Sequence, residues 1–310
     1  MKKIIVMFFA VLLALSLAAC TEREYPTDGV FLGYEVGVSR NAPMVTFVTV
    51  TIEDDEITAY DINVRQGSRT GDGAEVAYAY AWNQQTKKEL GFEYHLHYTA
   101  SGATTTAEYT AWLTANNKLE WFQQAELIEA FWLENGIEAM HGDEETAIDN
   151  VAGVTIKNAY SVAAQHALDN AKAGKFLSIY CSGSDLYIGE MTLTSKGAIE
   201  TLVVDTLQRN RAAAAGTFEW NTQTKQQLGY AYGMHKPASG TSTEADYIAW
   251  LTANNKLEWF EQANLITEDI IENGWSSSAA ENVPAGVSIS TAGYYAVLAA
   301  LFGFAGDAVK

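Results

Sequence analysis

From Met44 to Ile52 the chain reads MVTFVTVTI, hydrophobic residues alternating with threonines over most of its length. A period of two describes a strand with one buried face. The polar run EDDE follows, and ITAYDINV, from Ile57 to Val64, alternates again, so this stretch predicts a β-hairpin. MTLT, SKGA and IETLVVD, between Met191 and Asp205, predict a second hairpin of the same kind. AEVAYAYAW (74–82) and LGFEYHLHY (90–98) predict further strands. The period then lengthens. Leu119, Phe122, Ala125, Ile128 and Trp132 recur at helical spacing. Asn117-Lys118-Leu119-Glu120 has the layout of a capping box before them, and Gly136 suits the end. Asn255, Glu258 and Gly274 hold the same places later. Another helix is expected from about Ile156 to Lys172, with Gly174 as its stop. The late apolar run YYAVLAALFGFAG is too short to span a bilayer and predicts a packed helix. Strands first and helices afterwards make the expected fold class α+β.

The order is written twice. AWLTANNKLEWF stands at 111–122 and again at 249–260, an offset of 138 residues. WNQQTKKELG, from Trp82, pairs at that offset with WNTQTKQQLG, from Trp220. So long a period implies two whole domains rather than a solenoid. The expected division is 31–174 for the first and 175–310 for the second, each an antiparallel sheet followed by packed helices.

The opening residues set the address. MKKIIVMFFAVLLALSLAAC has Lys2 and Lys3, an apolar stretch from Ile4 to Leu17, and small residues ending at Cys20. It predicts a signal peptide over 1–19. Leu17-Ala18-Ala19-Cys20 matches the bacterial lipobox, which makes Cys20 the expected lipidation site and the mature N-terminus. Residues 20–30 then serve as a short tether, and the expected location is the extracellular face of the cytoplasmic membrane. The formal net charge of −19 disfavours nucleic acid and anionic headgroups as partners. Cys181 is the one other cysteine, so an internal disulfide frame is excluded once Cys20 is acylated. A small buried hydrophobe is its expected role.

Candidate chemistry gathers at DNVAGVT, residues 149–155. If the following helix begins at Ile156, Thr155 lies at its mouth, where free N–H groups and the positive end of the macrodipole favour a phosphate. Gly153 lets the backbone approach a ligand, and Ala152 and Val154 keep that approach narrow and uncharged. By pattern alone, a threonine in this position is more often simply a cap. The second half carries Ala285-Gly286-Val287-Ser288, preceded by Pro284.

Asp149-x-x-Ala152-Gly153-Val154-Thr155, with the helix that ends ALDNAKAGK and the hairpin upstream, resembles the attachment motif of the FMN-binding domain family. Two such units behind a lipobox resemble the lipoproteins of flavin-based extracellular electron transfer in Gram-positive bacteria. The family's motif is usually D-x-x-[ST]-G-A-T; here Ala152 stands for the Ser or Thr and Val154 for the Ala. The resemblance implies FMN joined by a phosphoester to Thr155, with Asp149 recognised by the flavin transferase that attaches it. Ser288 is the corresponding candidate in the second copy, either a second flavin site or a decayed one. It further implies an electron carrier rather than an enzyme, supplied by a membrane electron donor (a quinol-linked dehydrogenase) and discharging to an extracellular acceptor.

Other readings stay open. His95 and His97 could face one way on a strand as a metal pair, but only His97 has a repeat, at His235, and a structural role is expected. HGDEE (141–145) is expected to be a solvated loop. The repeated tryptophans Trp82, Trp112, Trp121, Trp220, Trp250 and Trp259 would suit carbohydrate or protein binding if exposed, and core packing if buried.

Overall fold

The computed structural model describes residues 23–276 and 282–310. The expected signal peptide (1–19) and the lipidation site Cys20 lie outside the described residues.

Two antiparallel sheets form the centre. Strands β1 (Gly29–Ser39), β2 (Ala42–Glu53), β3 (Glu56–Thr70) and β4 (Ala79–Trp82) pair in chain order. Strands β5 (Lys175–Ser182), β6 (Asp185–Leu193) and β7 (Ile199–Leu207) form the second sheet, also in order. The fold is therefore α+β, as expected, and both predicted hairpins form. β2 turns into β3 through Asp54 and Asp55, both left-handed (φ 54° and 70°), the conformation a two-residue hairpin loop requires. β1 and β5 were not read from the sequence. The start of the chain is also less free than a tether would be. Tyr25 is buried in the core, and its N–H donates to Asp55 Oδ1 at 2.8 Å.

The helices follow each sheet. In the first half they are α1 (Lys87–Leu90), α2 (Tyr98–Ser101), α3 (Thr106–Ala115), α4 (Trp121–Asn135) and α5 (Ser161–Lys172). In the second they are α6 (Lys225–Leu228), α7 (Lys236–Ser239), α8 (Glu244–Ala253), α9 (Trp259–Asn273) and α10 (Ala292–Ala305). α4 buries Trp121, Ala125, Ile128 and Trp132 against β3, where Trp132 meets Tyr60 edge to face. α5 buries Ala163, Ala164, Ala167 and Ala171 against β1 and β2. This lets it approach so closely that a Cβ on Gly33 would sit 2.2 Å from the Ala163 carbonyl oxygen. The late apolar run becomes α10, which packs on β5 and β6. Among the described residues, no helix is long and apolar enough to cross a membrane.

The halves clasp each other reciprocally. Trp82 donates its indole N–H to the Asp185 carbonyl (2.8 Å), and Trp220 donates to the Gly37 carbonyl (2.9 Å). The two indoles face each other at 5.8 Å, beside a cluster of Val45, Leu186, Ile188 and Leu207.

Three local expectations are corrected. LGFEYHLHY is not a strand: Gly91–Tyr94 is a 3₁₀ turn, His95 is left-handed (φ 63°), and α2 begins at Tyr98. Its backbone N–H groups bond elsewhere, Leu96 N–H to the Glu120 carboxyl and His97 N–H to the Tyr109 hydroxyl. The cap of α4 is Glu120, not Asn117. Asn117 turns left-handed (φ 50°) three residues earlier, and the capping box closes between Glu120 and Gln123. Glu258 and Glu261 repeat that arrangement at α9. The third correction, at the start of α5, changes the candidate site.

Candidate functional site

Thr155 does not stand at a helix mouth. α5 begins at Ser161 and α10 at Ala292, so both hydroxyl residues precede their helices by a short extended link. Ile148 donates its N–H to the Ile156 carbonyl at 3.0 Å, and Ala147 bridges to Lys157, which holds the chain extended there. The macrodipole argument for this position therefore fails, since the effect fades within the first turn.

A buried glutamine takes its place. Gln124 lies on α4 and is 1% exposed. Its Oε1 accepts the Thr155 N–H at 2.7 Å, the Ile156 N–H at 3.2 Å and the Thr155 hydroxyl at 3.3 Å. Its Nε2 donates to the Leu119 carbonyl at 3.0 Å. Two backbone donors are thus satisfied by one side chain, while the pairing of Ile156 and Lys157 with Ile148 and Ala147 keeps the segment out of α5.

The turn before it brings the hydroxyl to the surface. Val154 N–H returns to the Val151 carbonyl at 3.1 Å, Val151 and Val154 point into the core, and Ala152, Gly153 and Thr155 are exposed. Gly153 is left-handed (φ 87°), and a Cβ there would lie 3.2 Å from the terminal methyls of Leu119 and Leu127. The crest of the turn rests on those leucines, so glycine is required for both reasons. Val154 does not narrow the approach to the hydroxyl as expected, because its side chain is buried. Asp149 is exposed and paired with His141 (Nδ1 to Oδ1, 3.0 Å).

The glutamine contacts and the glycine turn recur in the second half, although Val287 is only partly buried where Val154 is buried. Gln262, also 1% exposed, accepts from Ser288 N–H at 2.6 Å, the Ser288 hydroxyl at 3.1 Å and Ile289 N–H at 3.2 Å. It donates to the Leu257 carbonyl at 3.0 Å. Gly286 (φ 94°) lies over Leu257 and Leu265, Val287 N–H returns to the Pro284 carbonyl, and Ala285 and Ser288 are exposed. Pro284 fits the turn, where only its carbonyl is used.

The leucines beneath each turn connect to an aromatic cluster. His97 Nε2 lies 3.2 Å from the Leu119 carbonyl and its ring 6.3 Å from Trp112; His235, Leu257 and Trp250 repeat this at 3.1 and 6.2 Å. His97 is therefore structural, and among the described residues no group of three or more His, Cys, Asp or Glu could hold a metal. The Lys87 ammonium lies over the rings of Tyr94 (4.8 Å) and Trp121 (5.1 Å), and burial pushes its pKa down to about 8. Lys225 sits likewise over Tyr232 and Trp259, its pKa also lowered by burial. Trp121 and Trp259 in turn donate to the hydroxyls of Tyr160 (2.9 Å) and Tyr294 (3.0 Å).

Glu120 anchors α4 beneath all this. Fully buried, it accepts from Leu96 N–H, Trp121 N–H and the Tyr109 hydroxyl. Glu258 does the same with Met234, Trp259 and Tyr247. Cys181 is half-buried and free, and burial pushes its thiol pKa up to about 12, which leaves it unreactive at neutral pH. A cavity of about 810 Å³ lies away from both hydroxyls, between the β2–β3 and β6–β7 turns.

The residues sequence reasoning missed are Gln124 and Gln262. A signal was present: within WFQQAEL and WFEQANL both copies keep a glutamine on the otherwise apolar face of the helix, while the residue before it changes. Compared with models of known protein families, with curated proteins and with solved structures, the chain matches none.

Proposed function

We propose that this chain is an electron carrier held at the extracellular face of the cytoplasmic membrane, with FMN joined through its phosphate to the hydroxyl of Thr155 and a second at Ser288. In this reading residues 31–174 and 175–310 are tandem homologous domains, residues 1–19 are removed, and acylated Cys20 anchors the rest through the short segment 20–30. A flavin transferase loads it, a quinol-linked dehydrogenase in the membrane reduces it, and an extracellular acceptor drains it. The observation that carries the reading is a solvent-exposed hydroxyl on a glycine turn, fixed from beneath by a buried amide, at Thr155.

The residues present suit the group. The hydroxyl is open on the side away from Gln124, so an ester can form without disturbing the core. Leu119, Leu127, His97 and Trp112 supply apolar and aromatic surface near the turn. Bound flavin would supply the exchange between two-electron and one-electron transfer. The protein's own part is to retain, orient and tune. An ester retains the cofactor where a loosely held one would be lost by dilution. The net charge of −19, or −21 once Lys2 and Lys3 leave with residues 1–19, works against added negative charge on the reduced ring and lowers its potential, less so at high salt. None of this asks the chain for a nucleophile-and-base pair, so it acts as a carrier and not as an enzyme. Binding of carbohydrate or protein through the tryptophans has less support, because Trp82, Trp121 and Trp259 are buried.

Co-expression with a flavin transferase should give yellow protein whose flavin survives denaturation. Thr155→Val should remove it from the first half and Ser288→Ala from the second. Colourless protein of unmodified mass under those conditions refutes the proposal.

A further inference from the structure

We infer that Gln124 and Gln262 are the positioning residues for flavin attachment, and that they present Thr155 and Ser288 equally, so each chain accepts two cofactors. This rests on the proposed attachment and adds to it the device that makes each hydroxyl an acceptor. The amide orientation is set independently of the hydroxyl. In each half Oε1 faces two backbone N–H donors and Nε2 faces a backbone carbonyl, so a flip would set donor against donor and acceptor against acceptor. The fixed oxygen then accepts the hydroxyl at 3.3 Å in the first half and 3.1 Å in the second. That contact, longer than an ordinary O–H···O bond, biases the hydroxyl proton inward and leaves lone pairs toward solvent.

The reaction needs little more from the acceptor than this. Oγ1 of Thr155 forms a bond to the phosphorus on the flavin side of FAD, and the bond from that phosphorus to the AMP oxygen breaks. AMP leaves, and the hydroxyl proton passes to the transferase or to water. Phosphoryl transfer asks mainly for a nucleophile held in line, so a residue that fixes the oxygen acts on the rate of transfer. Other hydroxyls also have acceptors, Thr104 at Glu108 and Thr243 at Asp246, but those are exposed carboxylates. What sets Thr155 and Ser288 apart is a buried glutamine beneath a glycine turn. The equivalence of the halves, down to bond lengths within 0.2 Å, carries the second part of the inference.

The test is a time course of transfer on the mature chain with purified flavin transferase and FAD, read by peptide mass at both hydroxyls. Wild-type protein is expected to load Thr155 and Ser288 at rates within a few-fold of each other. Gln124→Met keeps the side-chain length but removes the acceptor; loading of Thr155 at saturating transferase should fall by about ten-fold or more. Ser288 in the same molecules should load at the wild-type rate, which guards against a folding defect. Gln124→Glu, which restores an acceptor, should recover most of the loss. Wild-type loading of Thr155 in Gln124→Met, or equal loss in Gln124→Met and Gln124→Glu with Ser288 unaffected, overturns the positioning role. Wild-type loading at Thr155 alone overturns the equivalence, and loading at neither hydroxyl overturns the proposed function itself.

Discussion

Removal of the Glu120 carboxyl is the sharpest perturbation of the scaffold beneath the site. Glu120 is 0% exposed and starts α4, the helix that carries Gln124. Three donors converge on it: Leu96 N–H at 3.0 Å, Trp121 N–H at 2.6 Å and the Tyr109 hydroxyl. In Glu120→Ala all three lose their acceptor in a site that water does not reach. A buried donor left unpaired costs about 1–3 kcal/mol, so the sum, discounted for relaxation, is about 3–5 kcal/mol. Glu120→Gln keeps one acceptor oxygen and should cost about 1–2 kcal/mol. Tyr109→Phe removes the hydroxyl donor, so combining it with Glu120→Ala should cost less than the sum of the single changes. Urea unfolding followed by near-ultraviolet circular dichroism, which senses Trp121, measures all four proteins. Because Glu258 repeats the geometry, with Tyr247 Oη 2.5 Å away, Glu258→Ala should lose a similar amount. A loss below about 1 kcal/mol in Glu120→Ala would show that the carboxyl is not the anchor inferred here.

Gly33→Ala should destabilise by about 1–3 kcal/mol, because the new methyl meets backbone atoms, the Ala163 oxygen at 2.2 Å and the Ala167 nitrogen at 2.3 Å. Calorimetry should show a clear drop in Tm, and an unchanged Tm would mean that α5 does not lie as close as described. Lys87 has its pKa lowered from 10.5 to about 8 by burial. Between those values the unfolded chain binds more protons than the folded one, so this group's contribution to stability rises with pH across that window. Relative to Lys87→Met, the wild-type chain should therefore gain stability from pH 8 to pH 10, measured by urea titration at both; a flat difference refutes the assignment. The attachment predictions at Thr155, Ser288 and Gln124 are read by peptide mass as set out above.

The hairpins were legible because alternation over β2, β3, β6 and β7 is a local property of neighbouring residues. β1 and β5 were not read, since GVFLGYEVGVS mixes glycines into its alternation and KFLSIYCS has buried residues on both faces. The misreading of LGFEYHLHY has the same root: its backbone partners are side chains far along the chain, Glu120 and Tyr109. The turn at Gly153 and Thr155 was also legible, but the reason for its importance was not. A helix start was inferred from the apolar rhythm after Thr155, whereas Ile156 and Lys157 pair with Ile148 and Ala147 and stay extended, and Gln124, 31 positions away, holds the Thr155 and Ile156 N–H groups.

By itself, then, the order of residues determined the alternation of strands and helices, the duplication, the acidic surface and the residue types at the two turns. These follow from spacing and composition, which act over a few residues or over the whole chain. Tertiary structure alone decided which oxygen is exposed, where each helix begins, and that Trp82, Trp121 and Trp259 are buried while Trp112, Trp220 and Trp250 are only partly so. Those outcomes depend on pairing distant groups: a buried amide or carboxyl must satisfy its hydrogen bonds with whatever backbone the fold brings to it, and that partner cannot be read from its neighbours in sequence.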